Sequence, residues 1–169
     1  MKYRTEIGYV PGIIGRVAEL HALYYAKNWN FGSFFEGKVA AELSQFIAGY
    51  DPDRDRIWSA VLDGPIEGSI TINGSGEAED IAHLRWFIIS DRLRGQGAGN
   101  HLMQSALDFC REAGFSRVYL WTFKGLHAAR HLYEKYGFRL TEEHSGDQWG
   151  TTVTEQRFDL VFPAPRRSR

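Results

Sequence analysis

A chain of 169 residues with 43% hydrophobic and 24% charged side chains has the make-up of one soluble globular domain with a sizeable core. A net charge of −1 supplies no basic field for nucleic acid, and the single cysteine, Cys110, excludes an internal disulfide and a cysteine-cluster zinc site. No apolar run approaches the ~20 residues needed to cross a bilayer, and the polar opening 1–6 is unlike a signal peptide, so no membrane is expected and the cytoplasm is the expected compartment.

Residues 2–9 read as a first strand, broken at Val10-Pro11-Gly12. Ile13, Val17, Leu20, Leu23 and Tyr24 recur at helical spacing and predict a helix over 13–27. A loop, 28–32, follows. Ser33 with Glu36 three residues on has the form of a capping box, opening a second helix through Val39, Leu43, Phe46 and Ile47 to Gly49. After a polar turn, 51–55, two alternating segments, 56–62 and 66–73, flank Asp63-Gly64-Pro65 and predict a hairpin. Residues 81–89 are apolar on both faces except at His83 and Arg85, which predicts a strand buried on both sides. Leu102, Met103, Ala106, Leu107, Cys110 and Ala113 share one face of a helix over 101–113, ended by Gly114. A strand, 117–123, precedes a helix, 126–136, with Gly137 past its end. Two strands, 139–144 and 152–162, complete the pattern. The tail 163–169, with two prolines and three arginines, reads as a solvated end. The order β-α-α-β-β-β-α-β-α-β-β describes a mixed α/β (α+β) domain over 1–162. Its central strand-helix-strand crossover is expected to be parallel and right-handed.

The stretch Leu93-Arg94-Gly95-Gln96-Gly97-Ala98-Gly99-Asn100 joins that buried strand to the helix after it. Its glycines permit positive φ and close backbone approach, and the helix start beyond it presents unpaired N–H groups at the positive end of a dipole. Together these bind anions such as phosphate. The dinucleotide fingerprint fails, because Asn100 or Leu102 stands where its last glycine belongs, and the P-loop lysine is missing. The pattern that fits is R-x-x-G-x-G, from Arg94, Gly97 and Gly99.

That loop resembles the pyrophosphate loop of the GNAT superfamily of N-acetyltransferases. Ile89-Ser90-Asp91-Arg92-Leu93-Arg94-Gly95 is similar to the family's V-x-P-x-x-R-G approach to the loop, with Asp91 in place of proline. Ala129-Arg130-His131-Leu132-Tyr133-Glu134-Lys135-Tyr136-Gly137-Phe138 resembles its A-x-x-L-Y-E-K-x-G-F helix end. Asp63-Gly64-Pro65-Ile66-Glu67-Gly68 resembles its second hairpin. The first half, through Tyr24-Tyr25-Ala26-Lys27-Asn28-Trp29 and Phe35-Glu36-Gly37-Lys38-Val39-Ala40, resembles the acetyltransferase domain fused behind bacterial MarR-type regulators.

The resemblance implies the GNAT fold: a central, mostly antiparallel mixed sheet of about seven strands, a parallel β-α-β at the cofactor site and helices on both faces. It implies acetyl-CoA as donor, with no metal. The pyrophosphate would lie on Arg94, Gly95, Gln96, Gly97, Ala98, Gly99 and Asn100, and the pantetheine arm along Phe87, Ile88 and Ile89. The acceptor would be a primary amine of a small molecule or peptide, and Tyr133 would protonate the departing thiolate. The base stays open between His83, Glu79 or Asp80, and a water chain. Tyr25, Trp29, Phe35 and Glu36 are the acceptor-side candidates, with Tyr24 and Trp149 beside them. The family's frequent asparagine seven residues before the tyrosine is Leu126 here. His127 and His131 lack the glutamate and third ligand of a zinc site. A catalytically silent acyl-CoA-binding sensor on the same fold is the alternative reading. A nucleotide-binding use of the glycine loop is a third. Aromatic residues make up 14% of the chain, which suits a lined pocket, a rich core or a homodimer face equally.

Overall fold

The computed structural model describes residues 2–164, so tail residues 165–169 lie outside the described residues. The elements are β1 (Arg4–Ile7), α1 (Ile13–Trp29), α2 (Ser33–Ala48), β2 (Arg56–Val61), β3 (Ile66–Asn73), β4 (Ile81–Ile89), α3 (Ala98–Glu112), β5 (Arg117–Phe123), α4 (His127–Lys135), β6 (Arg139–Gly146) and β7 (Val153–Val161). The strands form one sheet in the order β1-β2-β3-β4-β5-β7-β6. Among the described residues only β4 and β5 run parallel, across the α3 crossover; the other pairings are antiparallel.

Each face of the sheet carries its own core. The apolar stripe of α3 (Leu102, Met103, Ala106, Leu107, Cys110) packs with Tyr133 of α4 against Ala60, Ile70, Ile72, Leu84, Leu120 and Phe158. On the other face, Ile13, Val17 and Leu20 of α1 join Leu43 and Phe46 of α2 over Ile57, Val61 and Ile88. So β4 feeds both cores, Leu84 to one and Ile88 to the other. This is why its sequence is apolar on both faces. A third cluster, Phe31, Phe35, Val39 and Phe123 with Tyr25 and Trp149 against it, sits at one end of the α1–α2 face. Much of the aromatic content is therefore gathered around a single region.

Three local expectations are corrected. Leu23 is 63% exposed. At about 100° per residue it falls off the α1 stripe, on the side opposite Ala18 and His21, which are buried instead. The Ser33–Glu36 capping box does not form. Gly32 is the N-cap, Ser33 is already helical, and no side chain caps the end. Finally, α3 begins at Ala98 rather than at 101. Gly97 supplies the left-handed N-cap conformation, so the second half of the glycine stretch is helix rather than loop.

Gly137 ends α4 as expected, at φ +97°. Its N–H donates to Glu134 C=O at 3.0 Å, and Phe138 N–H donates to Tyr133 C=O at 3.0 Å. These paired bonds are the Schellman motif. The turn folds Phe138 back to edge contact with the Tyr133 ring, 6.0 Å between centroids. The glycine-phenylalanine step thereby fixes where the tyrosine stands.

Candidate functional site

The sheet opens at its centre. β4 and β5 pair only where Ile81–His83 meets Arg117–Tyr119. Beyond that point β5 stays on β7 as far as Phe123, while β4 stays on β3 as far as Ile89. A bulge marks the parting. Thr71 faces Arg85 and Ser69 faces Ile88, so Trp86 and Phe87 share one partner position. Trp86 takes φ of 47°, and Ser69 Oγ donates to its carbonyl at 3.0 Å. Among the described residues no strand covers the β5-facing edge of 84–89. That edge presents peptide groups to which an extended, amide-bearing ligand can add as a further strand.

The glycine loop closes one end of this opening. Gly95 and Gly97 hold φ of 78° and 79°, where an L side chain is strained. The first i→i−4 bond of α3 runs from His101 N–H to Gly97 C=O at 3.0 Å. The N–H groups of Ala98, Gly99 and Asn100 precede it and have no partner within the helix. No acidic residue stands in that turn. The result is a cationic, N–H-lined end built for an anion. Gly99 faces inward: a Cβ there would touch Phe87, Ile89 and Leu132 at ordinary contact distances. Loop, strand edge and α4 therefore converge. Lys135 donates to Asn100 Oδ1 at 2.7 Å, and Tyr136 OH donates to Asn100 C=O at 3.1 Å. Tyr136 thus ties α4 to the anion site, and Lys135 adds a cation there. Arg94 is largely exposed and pairs with Asp91 at 2.9 Å. The proline-to-aspartate departure places a carboxylate beside the arginine to which the resemblance gives the phosphate.

The opposite end of the opening is a cavity of about 230 Å³. Its walls come from α1, α2, β4, β5, α4 and the β6–β7 loop. Of the residues singled out in the sequence, Tyr25, Phe35, His83, Phe87, Tyr133 and Trp149 line it. Trp29 does not: its ring stands edge-on to Phe123 at 4.9 Å and covers Gly125, propping the turn into α4. Glu36 lies on the exposed side of α2. Glu79 and Asp80 are exposed at the far end of β4, where the Asp80 carboxylate takes the Ser116 hydroxyl. His21, Lys38, Glu42 and Arg85 line the cavity and were not among the candidates. The i,i+4 spacing of Lys38 and Glu42 looks like an ordinary solvated helix pair. Arg85, a charge in a buried strand, was the signal available.

Burial sets the protonation of the cavity. It holds the Tyr133 phenol well above the ordinary range; the residue is 7% exposed, and no hydrogen bond to its hydroxyl is found among the described residues. Tyr25 is raised for the same reason, with Tyr133 and Tyr24 adding to it. Both phenols stay protonated, so Tyr133 can donate a proton or hydrogen bond but does not act as a base. Burial, with Arg85 and Arg157 nearby, pushes His83 down to about 3. Its ring stacks on Tyr119 at 4.4 Å. At neutral pH it is therefore uncharged, and too weak to take the proton of an ammonium with pKa ~10.4. Burial likewise pushes His21 to about 4. Its Nδ1 lies 2.8 Å from Val17 C=O, so Nδ1 carries the proton and Nε2 the lone pair. Among the described residues no cluster of three His, Cys, Asp or Glu side chains is placed to hold a metal, and no helix is long and apolar enough to cross a membrane.

The fold is shared with solved structures. A GNAT-family acetyltransferase from Staphylococcus aureus superposes with a TM-score of 0.74 at 16% identity, covering 94% of this chain and 99% of that one. An acetyltransferase from Salmonella typhimurium with its cofactor acetyl-CoA superposes with a TM-score of 0.70 at 12% identity, covering 99% and 100%. Among curated relatives, the probable N-acetyltransferase camello of Xenopus tropicalis is 34% identical over 132 residues, 78% of this chain and 60% of its own. Human N-acetylaspartate synthetase is 35% identical over 117 residues, 69% of this chain and 38% of its own. The chain therefore spans less than two thirds of either relative's length. Residues 14–138 match the model of the acetyltransferase (GNAT) family, which takes in the bulge, the glycine loop and the Tyr133 helix, and the chain belongs to that family.

Proposed function

We propose that the protein transfers the acetyl group of acetyl-CoA to the amine of a small molecule. One observation carries the proposal. The open β4 edge, the N–H-lined start of α3 and the Tyr133 hydroxyl all meet at one cleft, with a cavity at its inner end. The pyrophosphate would rest on residues 94–100, the pantetheine amides along 87–89, and the thioester would reach Tyr133. The cavity is below the ~300–1,000 Å³ usual for ligand pockets, which favours a compact amine over a folded partner. Tyr25 and Phe35, which line it, also carry the likeness to the MarR-fused acetyltransferase domain, which we keep as a finer proposal.

The step is direct attack. The amine nitrogen bonds to the acetyl carbonyl carbon, the C–S bond breaks, the nitrogen loses a proton and the thiolate gains one. Tyr133 serves the sulfur. No strong base faces the amine, because His83 and His21 are held neutral and weak. The acceptor then reacts as the small neutral fraction of its amine. For a lysine-like amine at neutral pH this costs about 4–5 kcal/mol.

The test is thiol release from acetyl-CoA with a panel of amines, the acetylated product identified by mass, followed against pH. The ascending limb of kcat/KM is expected to move with the pKa of each amine and to show no fixed inflection near ~6.5. A limb that stays near there for every amine, and disappears in His83→Gln or His21→Gln, would assign the base to imidazole. Stabilisation by acetyl-CoA without product from any amine would favour the silent sensor.

A further inference from the structure

Two charge clusters lie on the α1–α2 face of the sheet, and only the first is neutral by its own charges. Arg157 of β7 is saturated. Its Nε donates to Asp159, its Nη1 to Glu77 and its Nη2 to both carboxylates. Arg117 Nη1 also lies 3.7 Å from Asp159, so two cations meet two carboxylates there. At the cavity wall the cations are in excess. Lys38 Nζ donates to one oxygen of Glu42 at 2.6 Å, and Arg85 Nη2 donates to the other. One carboxylate meets two cations, and all three residues line the cavity.

The spare donors are the informative part. Among the described residues, Arg85 Nε and Nη1 have no acceptor, and Lys38 has only Glu42. Both side chains are mostly buried, 22% exposed for Arg85 and 28% for Lys38. Partly desolvated donors without acceptors are costly and bind an anion readily. The Arg85 guanidinium also lies over the Trp86 ring at 4.2 Å, which fixes its plane and leaves its edge for a bidentate partner. The rest of the lining is aromatic or neutral, so the cavity carries one net positive charge. Glu42 has both oxygens occupied, so it holds the two cations rather than drawing in the amine.

We propose that the acceptor is an amine that also bears a carboxylate, of the amino-acid class, with Arg85 and Lys38 receiving the carboxylate; this rests on the transferase reading above. An amino acid with its attacking amine neutral carries one negative charge, which complements the cavity. The carboxylate end docks at the α2–β4 wall and leaves the amine for the thioester.

The experiment compares the proteinogenic amino acids with their primary amides and decarboxylated amines. Each kcat/KM is corrected for the fraction of free amine, since these changes move the amine pKa. The expected result is a preference of about ten- to a hundredfold for the carboxylate-bearing partner, as for a charge-assisted hydrogen bond. In Arg85→Gln, and separately in Lys38→Met, the ratio of acid to amide is expected to fall towards one. Two variants are used because either could disturb Glu42. Amides or plain amines used as well as the acids would overturn the proposal, as would a preference that survives both substitutions. If no amine is acetylated, the transferase reading falls by itself. Titrating N-acetylated amino acids and their amides into the CoA-loaded protein then still decides: tighter binding of the acids supports the carboxylate site, and equal affinity overturns it.

Discussion

Tyr133→Phe is expected to lower kcat by roughly a hundredfold or more, the scale of losing a positioned general acid, while acetyl-CoA affinity changes by less than about twofold. The physical separation is clean because the ring and the hydroxyl do different work. The ring packs against Phe138 and Phe158 at 6.0 Å from each, and the Schellman turn at Gly137 holds its backbone. Phenylalanine keeps all of this. The hydroxyl has no protein partner among the described residues, so its removal leaves no buried group unpaired. The melting temperature is therefore expected to hold or rise slightly. Steady-state thiol release, an acetyl-CoA titration and a thermal melt measure the three quantities together. A variant with the parent rate would remove Tyr133 from the chemistry. A variant with lost affinity would show that the ring, not the hydroxyl, had been disturbed.

The second large effect is expected of Gly97→Val. The residue holds φ of 79°, a region a β-branched side chain occupies only under strain of ~1–3 kcal/mol. Among the described residues no atom lies within 4 Å of the added Cβ. The side chain would thus meet no neighbour in the free protein and would project where the pyrophosphate is proposed to lie. A fall in melting temperature of roughly 2–8 °C is expected from the strain. Acetyl-CoA affinity is expected to fall about ten- to a hundredfold, from crowding and from displaced N–H groups. Gly99→Ala serves as the control. That Cβ packs inward on Phe87, Ile89 and Leu132, and alanine suits a helix better than glycine. Unchanged affinity in Gly97→Val, checked by titration calorimetry, would detach the loop from the cofactor.

The element order, the β3 and β4 boundaries and the tyrosine helix were legible because each rests on local signals. These are alternation, a run apolar on both faces, and a glycine after a helical stripe. The start of α3 was misplaced because Gly99 and Asn100 are poor helix formers, which hides the helix-favouring Ala98 before them, and only the left-handed Gly97 shows that the helix has begun. The capping box failed for the opposite reason: a favourable local pair was passed over in favour of an earlier start at Gly32. In the site, the cofactor side was readable because backbone N–H groups and a glycine pattern define it. The acceptor side was not. Its walls come from six separate elements, and the feature that distinguishes them is a charge balance between α2 and β4. No spacing along the chain records that Glu42 sits between Lys38 and Arg85. Nor does the sequence show that burial beside two arginines strips His83 of its usual basicity.

Acetyl-CoA is proposed to lie in the opening between β4 and β5 with its pyrophosphate on the start of α3. Amide hydrogen exchange, followed by mass spectrometry with and without acetyl-CoA, reads that placement segment by segment. Slowed exchange is expected in residues 87–89 and 95–100, with the outer strands β1, β2 and β6 unchanged. Protection confined to other segments, or none at saturating acetyl-CoA, would contradict it.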